Sequence, residues 1–178
     1  MVVLDPVRWR WLLLAGLLLT GGVQASEFEE YAVKAAYLYH FAKYVEWPPE
    51  TFATAAAPLT VCIAGADPFG DALTTLLGKQ VENHPVEVRY LPGATGLEQC
   101  HLVFVSRAAQ DQVKALLAKL ARLPIVTVSD IDGFAEAGGM IGLVEAEQRI
   151  RFRINLSAAR QARLKLSSQL LKLATIVD

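Results

Sequence analysis

Cysteine and histidine are scarce in this 178-residue chain, which has two of the former and three of the latter. None of the histidines (His40, His84 and His101) has a partner at the spacing of a zinc ligand set. A serine nucleophile elbow, a zincin helix and a catalytic cysteine motif are all missing from the sequence. We therefore predict no catalytic residue, no metal site and no cofactor.

An excess of charge of one sign is also lacking, since 17 basic and 18 acidic residues give a formal net charge of −1. This balance argues against the basic footprint of a nucleic-acid-binding protein. Beyond residue 25 no apolar run approaches the ~18 residues that suggest a membrane-spanning helix. With 53% hydrophobic residues, the chain has the length and composition of one domain with a substantial core.

The first 25 residues follow the pattern of a cleavable secretory signal. Arg8 and Arg10 precede a nine-residue apolar run, residues 11–19, and Val23-Gln24-Ala25 places small residues at the −3 and −1 positions of a cleavage site. An uncleaved anchor would need about 20 apolar residues, roughly twice this run. We predict cleavage after Ala25, export of the protein, and a mature domain over residues 26–178.

Export changes what the two cysteines predict. In an oxidising compartment a pair of cysteines in a small domain is more often bridged than free. Cys62 lies within a predicted strand and Cys100 immediately precedes another, so adjacent strands would bring them together. A catalytic thiol has little support, because its sequence neighbour His101 would point to the opposite face of a strand. We favour a structural disulfide worth about 4 kcal/mol.

Residues 26–47 have helical periodicity, and Pro48-Pro49 ends the pattern. One apolar stripe, whose residues are spaced alternately four and three positions apart, predicts the side of the helix that faces the core. A second, aromatic stripe lies beside it: Tyr37, Phe41 and Tyr44. This second stripe indicates either a helix buried on two sides within its own fold, or a face that meets a partner or a second copy of the chain.

Strand and helix patterns then alternate, which predicts an α/β fold with right-handed parallel crossovers. The predicted strands cover residues 59–64, 86–90, 102–105 and 124–128. Helices are predicted from Pro68 to about Leu77 and from Ala108 to Leu120. Loops at Gly65 and Asp130 follow two of these strands, where open α/β sheets place ligands. The turn at Gly65 lacks both the Walker and the dinucleotide-binding patterns, so nucleotide binding there is unsupported.

The last forty residues predict a hairpin, a short helix, an extended link and a closing helix. Met140 to Val144 is an apolar run, and Arg149 to Asn155 alternates strictly between arginine and apolar residues. Asn155 or Ser157 caps the short helix, and Ser167-Ser168 caps the closing one. The predicted fold is a single three-layer-type α/β domain with a mainly parallel central sheet, a C-terminal β-hairpin and a capping C-terminal helix.

Arg149, Arg151 and Arg153 share one face of the second hairpin strand. Such a face is either the solvated outer side of an antiparallel pair, or an electrostatic surface for an acidic partner or ligand. The sequence leaves both interpretations open.

Four stretches resemble the YfiR family of periplasmic proteins, and together they cover nearly all of the mature chain. They are KAAYLYHFAKYVEWP (34–48), LTVCIAGADPFG (59–70), VSDIDGFAEAGGMIGL (128–143) and IRFRINLSAARQARLKLSSQLLKLA (150–174). The resemblance implies a non-enzymatic periplasmic repressor that binds the periplasmic sensor domain of an inner-membrane diguanylate cyclase and lowers cyclic-di-GMP signalling and biofilm formation. It further implies that an outer-membrane-associated protein can sequester the repressor, and that the oxidation state of the repressor affects its stability.

The partner contacts are expected on the C-terminal unit and on the aromatic stripe Tyr37, Phe41 and Tyr44, with a homodimer also plausible. The C-terminal contacts would be Arg151, Arg153, Asn155, Arg160, Arg163, Lys165, Gln169 and Lys172. The sequence departs from the family in three places: relatives usually have glycines within the turn at 145–148, commonly glycine at Arg163, and often an acidic residue at Arg153. The alternative function is an exported small-molecule-binding module that uses the loops at Gly65 and Asp130; an exported hydrolase is a weaker third hypothesis.

Overall fold

A computed structural model describes residues 22–178, and their side chains from Glu29 onward. The predicted signal peptide falls mostly outside this range, so the signal peptide and its cleavage after Ala25 stay predictions.

Helix α1 (Gly22–Lys43) opens the described part of the chain and lies against the sheet. Its buried positions recur three and four residues apart, as at Ala35, Leu38 and Ala42, which is the periodicity of one helical face. The chain then forms the short strand β1 (Val45–Glu46) before Pro48 and Pro49. The predicted helix over residues 26–47 is thereby confirmed to within a few residues at its carboxyl end.

The remaining helices and strands follow in order along the chain. They are β2 Leu59–Ala64, β3 Gln80–Val81, β4 His84–Leu91, β5 Leu102–Val105, α2 Val113–Leu120, β6 Val126–Ser129, β7 Ile141–Ala146, β8 Arg149–Asn155, α3 Leu156–Gln161, β9 Lys165–Leu166, α4 Ser168–Leu171 and β10 Thr175–Val177. Turns of 3₁₀ helix cover residues 49–51, 70–76, 97–99 and 107–112.

The main sheet has eight strands in the order β10-β8-β7-β6-β5-β2-β4-β3. Its central strands run parallel, while the β7–β8 hairpin and the β3–β4 pair are antiparallel. Every residue of β2, β5 and β6 is buried, as the apolar runs predicted for strands covered on both faces. The mainly parallel α/β fold with a C-terminal hairpin is therefore confirmed.

Alternate residues of the central strands face two separate core layers. Val61 and Ile63 belong to the layer under α1. Cys62 and Ala64 belong to the layer under α2 and the 3₁₀ turn at residues 107–112. The two layers on either side of one sheet give the predicted three-layer arrangement.

Some predicted helices are shorter or tighter in the structure. The helix expected after Pro68 is the 3₁₀ segment at residues 70–76, and the helix expected from Ala108 divides into a 3₁₀ turn and α2. The closing helix α4 is one turn long, with the Ser167 hydroxyl accepting from the Leu170 N–H at 3.2 Å. The chain then turns into β10, which pairs in parallel with β8 and was not predicted.

Left-handed backbone occurs in the hairpin turn and just beyond α3. The pairing of Ala146 with Arg149 leaves Glu147 and Gln148 as a two-residue loop, with φ of +53° and +59°. Arg163, just beyond α3, also has φ +59°. Positive φ favours glycine, so the glycines that the resemblance led us to expect at these positions would suit this backbone.

Candidate binding surface

An open groove runs between α1 and the β7–β8 hairpin, with a volume of about 830 Å³. Its floor is apolar and includes Val33, Tyr37, Phe152 and Leu173. Val33 and Leu173 are 47% and 73% exposed, far more than core residues of their type. We call this depression, together with its extension described next, the α1–hairpin groove.

The groove continues into a second hollow of about 360 Å³ beside α4. Tyr37, Phe152 and Leu173 line both depressions, and Gln169 and Tyr44 join them in the second. The structure thus brings the aromatic stripe of α1 next to the C-terminal unit, two regions that sequence analysis could propose only separately.

Charged side chains of both signs line the groove. Glu29 and Glu30 lie on the α1 side, while Arg149 and Arg151 lie on the β8 side. Glu145 of β7 also lines the groove, so the hairpin side carries charges of both signs.

The aromatic stripe also serves internal packing. Phe41 is fully buried, with its ring centroid 5.2 Å from that of Phe152 in an edge-to-face arrangement. Tyr37 stacks on Phe41 at 5.7 Å and donates a hydrogen bond to the Ile150 carbonyl at 3.1 Å. Phe41 is therefore part of the core beneath the groove, whereas Tyr37 and Tyr44 are half-buried at its surface.

The predicted basic contacts are mostly exposed, but they differ in their surroundings. Arg153 forms an ion pair with Glu136, and this hydrogen bond lowers the pKa of the Glu136 carboxyl. The Arg163 guanidinium lies 3.6 Å from the Glu50 carboxylate at the surface. Arg160, Lys165 and Lys172 are exposed, on α3, β9 and the residue after α4.

Asn155 supports this surface from beneath. It is 6% exposed; its amide N–H donates to the Ala135 carbonyl at 2.9 Å, and its side-chain oxygen caps α3 through the Ala158 N–H at 2.8 Å. The predicted capping role is confirmed. A contact between Asn155 and a partner stays a prediction, and the buried position assigns the side chain to holding β8 and α3 in place.

A buried charge cluster lies at the carboxyl end of β6, a position that the sequence indicated only through Asp130. The Asp130 carboxylate accepts hydrogen bonds from Tyr31 Oη at 2.9 Å and from Lys34 Nζ at 2.5 Å. Arg107 Nε lies 3.5 Å from the same oxygen. Burial and the Asp130 carboxylate raise the pKa of the Tyr31 phenol well above its usual range, so Tyr31 stays a donor.

The other predicted ligand loop, at Gly65, is filled by the protein itself. A Cβ added at Gly65 would come within 2.5 Å of Ser106 Oγ and 3.1 Å of Ala109 Cβ, and Gly65 has φ +95°. The glycine is thus required by close packing against the turn at residues 107–112. Of the two proposed loops, Asp130 is the one that lines a cavity.

Cys62 and Cys100 form the predicted disulfide, with Cα atoms 6.0 Å apart. Cys62 is fully buried and Cys100 is 4% exposed. The bridge fastens the end of the 3₁₀ turn at residues 97–99 to the central strand β2. It lies in the core layer under α2 and not on the α1 side of the sheet.

Next to the disulfide, the neighbouring His101 is held in a neutral, stacked arrangement. Its Nδ1 accepts from the Thr60 N–H at 3.0 Å, and its ring stacks on Phe52 with a centroid distance of 4.5 Å. Phe52 also stacks on His84 at 3.7 Å. Burial, with a smaller contribution from the His84 charge, lowers the pKa of His101 to about 4.

Residues 22–178 bear on two further possibilities, a membrane-spanning helix and a metal site. No helix in that range combines the length and apolar character needed to cross a bilayer. The same residues contain no group of three or more His, Cys, Asp or Glu side chains placed to hold a metal ion.

An α/β domain with an open groove of mixed charge over an apolar floor has the features of an interaction module. The chain belongs to the YfiR/HmsC-like family, whose model matches residues 31–175. This is a family of regulators and not of enzymes, and the resemblance seen in the sequence is confirmed.

A solved structure shares the fold. It is a conserved domain protein from Vibrio cholerae O1 biovar El Tor, with a TM-score of 0.53 and 9% sequence identity. The similarity covers 83% of this chain and 60% of that chain, so this chain spans less than two thirds of the other. Identity at this level shows the fold alone. No protein among the curated sequences matches.

Proposed function

We propose that this protein is an exported, periplasmic regulator that binds the periplasmic sensor domain of an inner-membrane diguanylate cyclase. Binding holds the cyclase inactive and lowers cyclic-di-GMP, and with it biofilm formation. Membership of the YfiR/HmsC-like family supports this function. The predicted signal peptide over residues 1–25 and the buried Cys62–Cys100 bridge accord with an oxidising compartment.

The observation that carries a binding role is the α1–hairpin groove. Leu173 at 73% exposure and Val33 at 47% form an apolar floor that a partner would cover. Arg149 and Arg151 on one wall and Glu29 and Glu30 on the other would select the partner by charge. In this proposal Tyr37, Tyr44 and Gln169 contact the partner, while Phe41 shapes the floor from below.

The exposed basic residues of the C-terminal unit extend the proposed contact surface. Arg153 and Arg163 are engaged only by exposed carboxylates, Glu136 and Glu50, and exposed pairs of this kind contribute little stability. A partner carboxylate could therefore replace either one at small cost. An outer-membrane-associated protein that sequesters the regulator would compete for the same surface, and a homodimer would cover part of it.

The cellular test is the cyclic-di-GMP content of the native host with the gene deleted. We expect a rise on deletion, reversed by the full-length gene but not by a form that lacks residues 1–25. No rise on deletion would contradict repression of a cyclase by this protein. Reversal by the unexported form would contradict the periplasmic location.

The surface test uses two substitutions of exposed leucines. Leu173→Asp places a charge on the floor of the groove, whereas Leu77→Asp makes the same change at a residue that is 55% exposed and does not line the groove. We expect Leu173→Asp to abolish co-purification with the cyclase sensor domain and Leu77→Asp to preserve it. Equal behaviour of the two variants would contradict the assignment of the groove.

A further inference from the structure

Residues 49–57 connect β1 to β2 and border an open hollow of about 490 Å³. We call them the β1–β2 segment. The backbone hydrogen bonds that it forms within the described chain are local: the Thr51 N–H donates to the Pro48 carbonyl at 2.9 Å, and the Ala57 N–H to the Thr54 carbonyl at 3.1 Å. Side chains, and not sheet hydrogen bonds, therefore hold the segment against the domain.

Phe52 is the side chain that fastens the segment. Its ring lies between two imidazoles and nearly parallel to both, with centroids 3.7 Å from His84 and 4.5 Å from His101. Trp47 packs edge-on against Phe52 and His101, at centroid distances of 6.2 and 6.4 Å. The attachment is thus an aromatic stack that contains two titratable rings.

The two histidines differ in how they can take up a proton. His84 Nδ1 lies 2.7 Å from the Ala57 carbonyl, so it donates, and a second proton on the other ring nitrogen leaves this bond in place. His101 Nδ1 accepts from the Thr60 N–H at 3.0 Å. A proton on this nitrogen would set two N–H groups against each other and break the bond. Protonation of His101, and not of His84, is incompatible with the stack.

The surroundings of His101 also oppose its cation. The residue is 8% exposed, and its Nε2 atom is buried without a hydrogen-bond partner among the described residues. Positive charge at His84 and Arg89, both on β4, acts against the cation, whereas the nearby Thr51 backbone favours it. Burial is the largest of these effects, and it lowers the pKa of His101 to about 4.

Two sources of negative potential lie near the stack, and neither removes this cost. The attraction of a cation for the face of the Phe52 ring is smaller than the cost of burying a charge. Glu46 and Glu82 line the hollow together with His84, but they are not among the groups that act on His101. Exposure to water is therefore what relieves a protonated His101.

We propose that the β1–β2 segment is an acid-sensitive flap: protonation of His101 releases the Thr60 N–H and the Phe52 ring, and the segment moves away while the rest of the fold stays intact. Opening exposes Trp47. It also carries Glu50 away from Arg163, 3.6 Å from it in the closed form. Arg163 is one of the proposed partner contacts, so this last consequence rests on the proposed function, whereas the opening itself does not.

Linkage gives the size and the sign of the effect. The pKa of His101 is about 4 in the closed form and about 6.5 when the ring is exposed. The open form binds more protons between these values, so acid favours it. Lowering the pH from 7 to 5 should raise the open population about 20-fold.

The test is hydrogen exchange measured by NMR on the exported form, residues 26–178, at pH 7 and pH 5. Trp47 is the single tryptophan of this form, and its indole N–H is buried without a partner among the described residues. After correction for the intrinsic pH dependence of exchange, we expect the protection factors of the Trp47 indole and of the Thr60 amide to fall about 20-fold. Unchanged protection factors would overturn the proposal.

Val103 separates local opening from unfolding of the whole domain. It lies fully buried in the central strand β5. We expect the Trp47 indole and the Thr60 amide to be less protected than the Val103 amide at both pH values, because a local opening needs less free energy than global unfolding. Equal protection of all three would overturn the flap, since exchange would then require the whole domain to unfold.

His101→Asn keeps an acceptor for the Thr60 N–H but cannot be protonated in this range, so it should abolish the fall in protection. His40→Asn is the control, since His40 is exposed on α1 and has no part in the stack. The same response to acid in both variants would overturn the assignment to His101.

A second pair of variants tests the stack at pH 7. Phe52→Ala removes the ring between the imidazoles and should speed exchange of the Trp47 indole about tenfold, whereas Thr54→Ala, in the same segment, should leave it unchanged. Equal effects would overturn Phe52 as the attachment. This pair leaves His101 in place, so it decides the question if His101→Asn fails to fold. No cyclase is needed, so a failure here leaves the regulatory proposal intact.

Discussion

Lys34 Nζ lies 2.5 Å from Oδ2 of Asp130, which is 96 positions further along the chain, and the two residues are only 2% and 3% exposed. This buried ion pair fastens the middle of α1 to the carboxyl end of β6. Tyr31 adds an O–H donor to the same carboxylate. One side of the α1–hairpin groove is thus held in place by charge as well as by apolar packing.

Replacing Lys34 with methionine should destabilise the protein by about 3 kcal/mol, because a buried carboxylate loses its main counter-charge. This loss is at the lower end of the range that is usual for a broken buried ion pair, since Arg107 still faces Asp130. Urea unfolding measures the loss. Adding Asp130→Asn should recover part of it. Lys119→Ala is the control: it breaks the exposed 3.1 Å pair with Glu98 and should cost less than about 1 kcal/mol. Equal losses would contradict a special role for the buried pair.

Reduction of the Cys62–Cys100 bridge should lower the free energy of unfolding by about 2–4 kcal/mol, because the open chain regains loop entropy. Thermal melts with and without a reducing agent measure the effect. The double variant Cys62→Ala/Cys100→Ala should melt near the temperature of the reduced protein and should not respond to the agent. If reduction left the melting temperature of the native protein unchanged, the bridge would not be a source of stability.

Lowering the pH should reduce the free energy of unfolding through protonation of His101. Its folded-state pKa of about 4 lies below the unfolded value of about 6.5, so the unfolded chain binds more protons between these values. The stability that His101 contributes is complete above about pH 6.5 and is lost as the pH falls towards 4, by about 2–3 kcal/mol. His101→Asn keeps an acceptor for the Thr60 N–H and should flatten this dependence, measured by urea unfolding across the range.

The nearby His84, stacked on Phe52, provides the matched control for that measurement. His84→Asn should retain most of the loss of stability between pH 6.5 and 4. If His84→Asn flattened the dependence and His101→Asn did not, the assignment to His101 would be wrong.

Arg163→Gly should raise the free energy of unfolding by about 0.5–1 kcal/mol, since φ of +59° strains a residue with a Cβ. Arg160→Gly, three positions earlier in α3, should lower it by about 1 kcal/mol because glycine is unfavourable within a helix. If the backbone conformation is the cause, urea unfolding of the two variants shows changes of opposite sign in the free energy of unfolding. The same sign for both would contradict this explanation.

The parts of the fold that the sequence predicted have strong local patterns. The alternation from Arg149 to Asn155 defines β8, and the apolar runs at residues 59–64 and 102–105 define buried strands. The predicted export, together with Cys62 within one predicted strand and Cys100 just before another, was enough to predict the disulfide. In each case the periodicity or the spacing follows from the backbone geometry of a single element or of adjacent elements.

The parts that escaped prediction depend on tertiary contacts. Strands β1 and β10 have two or three residues, too few for a period to be visible, and they form through hydrogen bonds to distant segments. Strand β9 was predicted as an extended link, but its pairing with β1 was not. The place of Leu173 in the groove could not be predicted, because α1 and the β7–β8 hairpin meet it only in the folded domain. Lys34 falls among the apolar residues of α1, and nothing in its neighbourhood along the chain indicates Asp130 as its counter-ion.

The α1–hairpin groove is assembled from segments near opposite ends of the described chain. Its walls are α1 and the β7–β8 hairpin, and Leu173 beyond α4 completes its floor. The nearby pairing of Val45 with Leu166 joins residues about 120 positions apart, so much of this region must await contacts that fold slowly. A nascent chain, or one cut by a protease before Leu173, has no complete groove. If the groove is the partner surface, as proposed, recognition requires an intact polypeptide, and a truncated protein would release its partner.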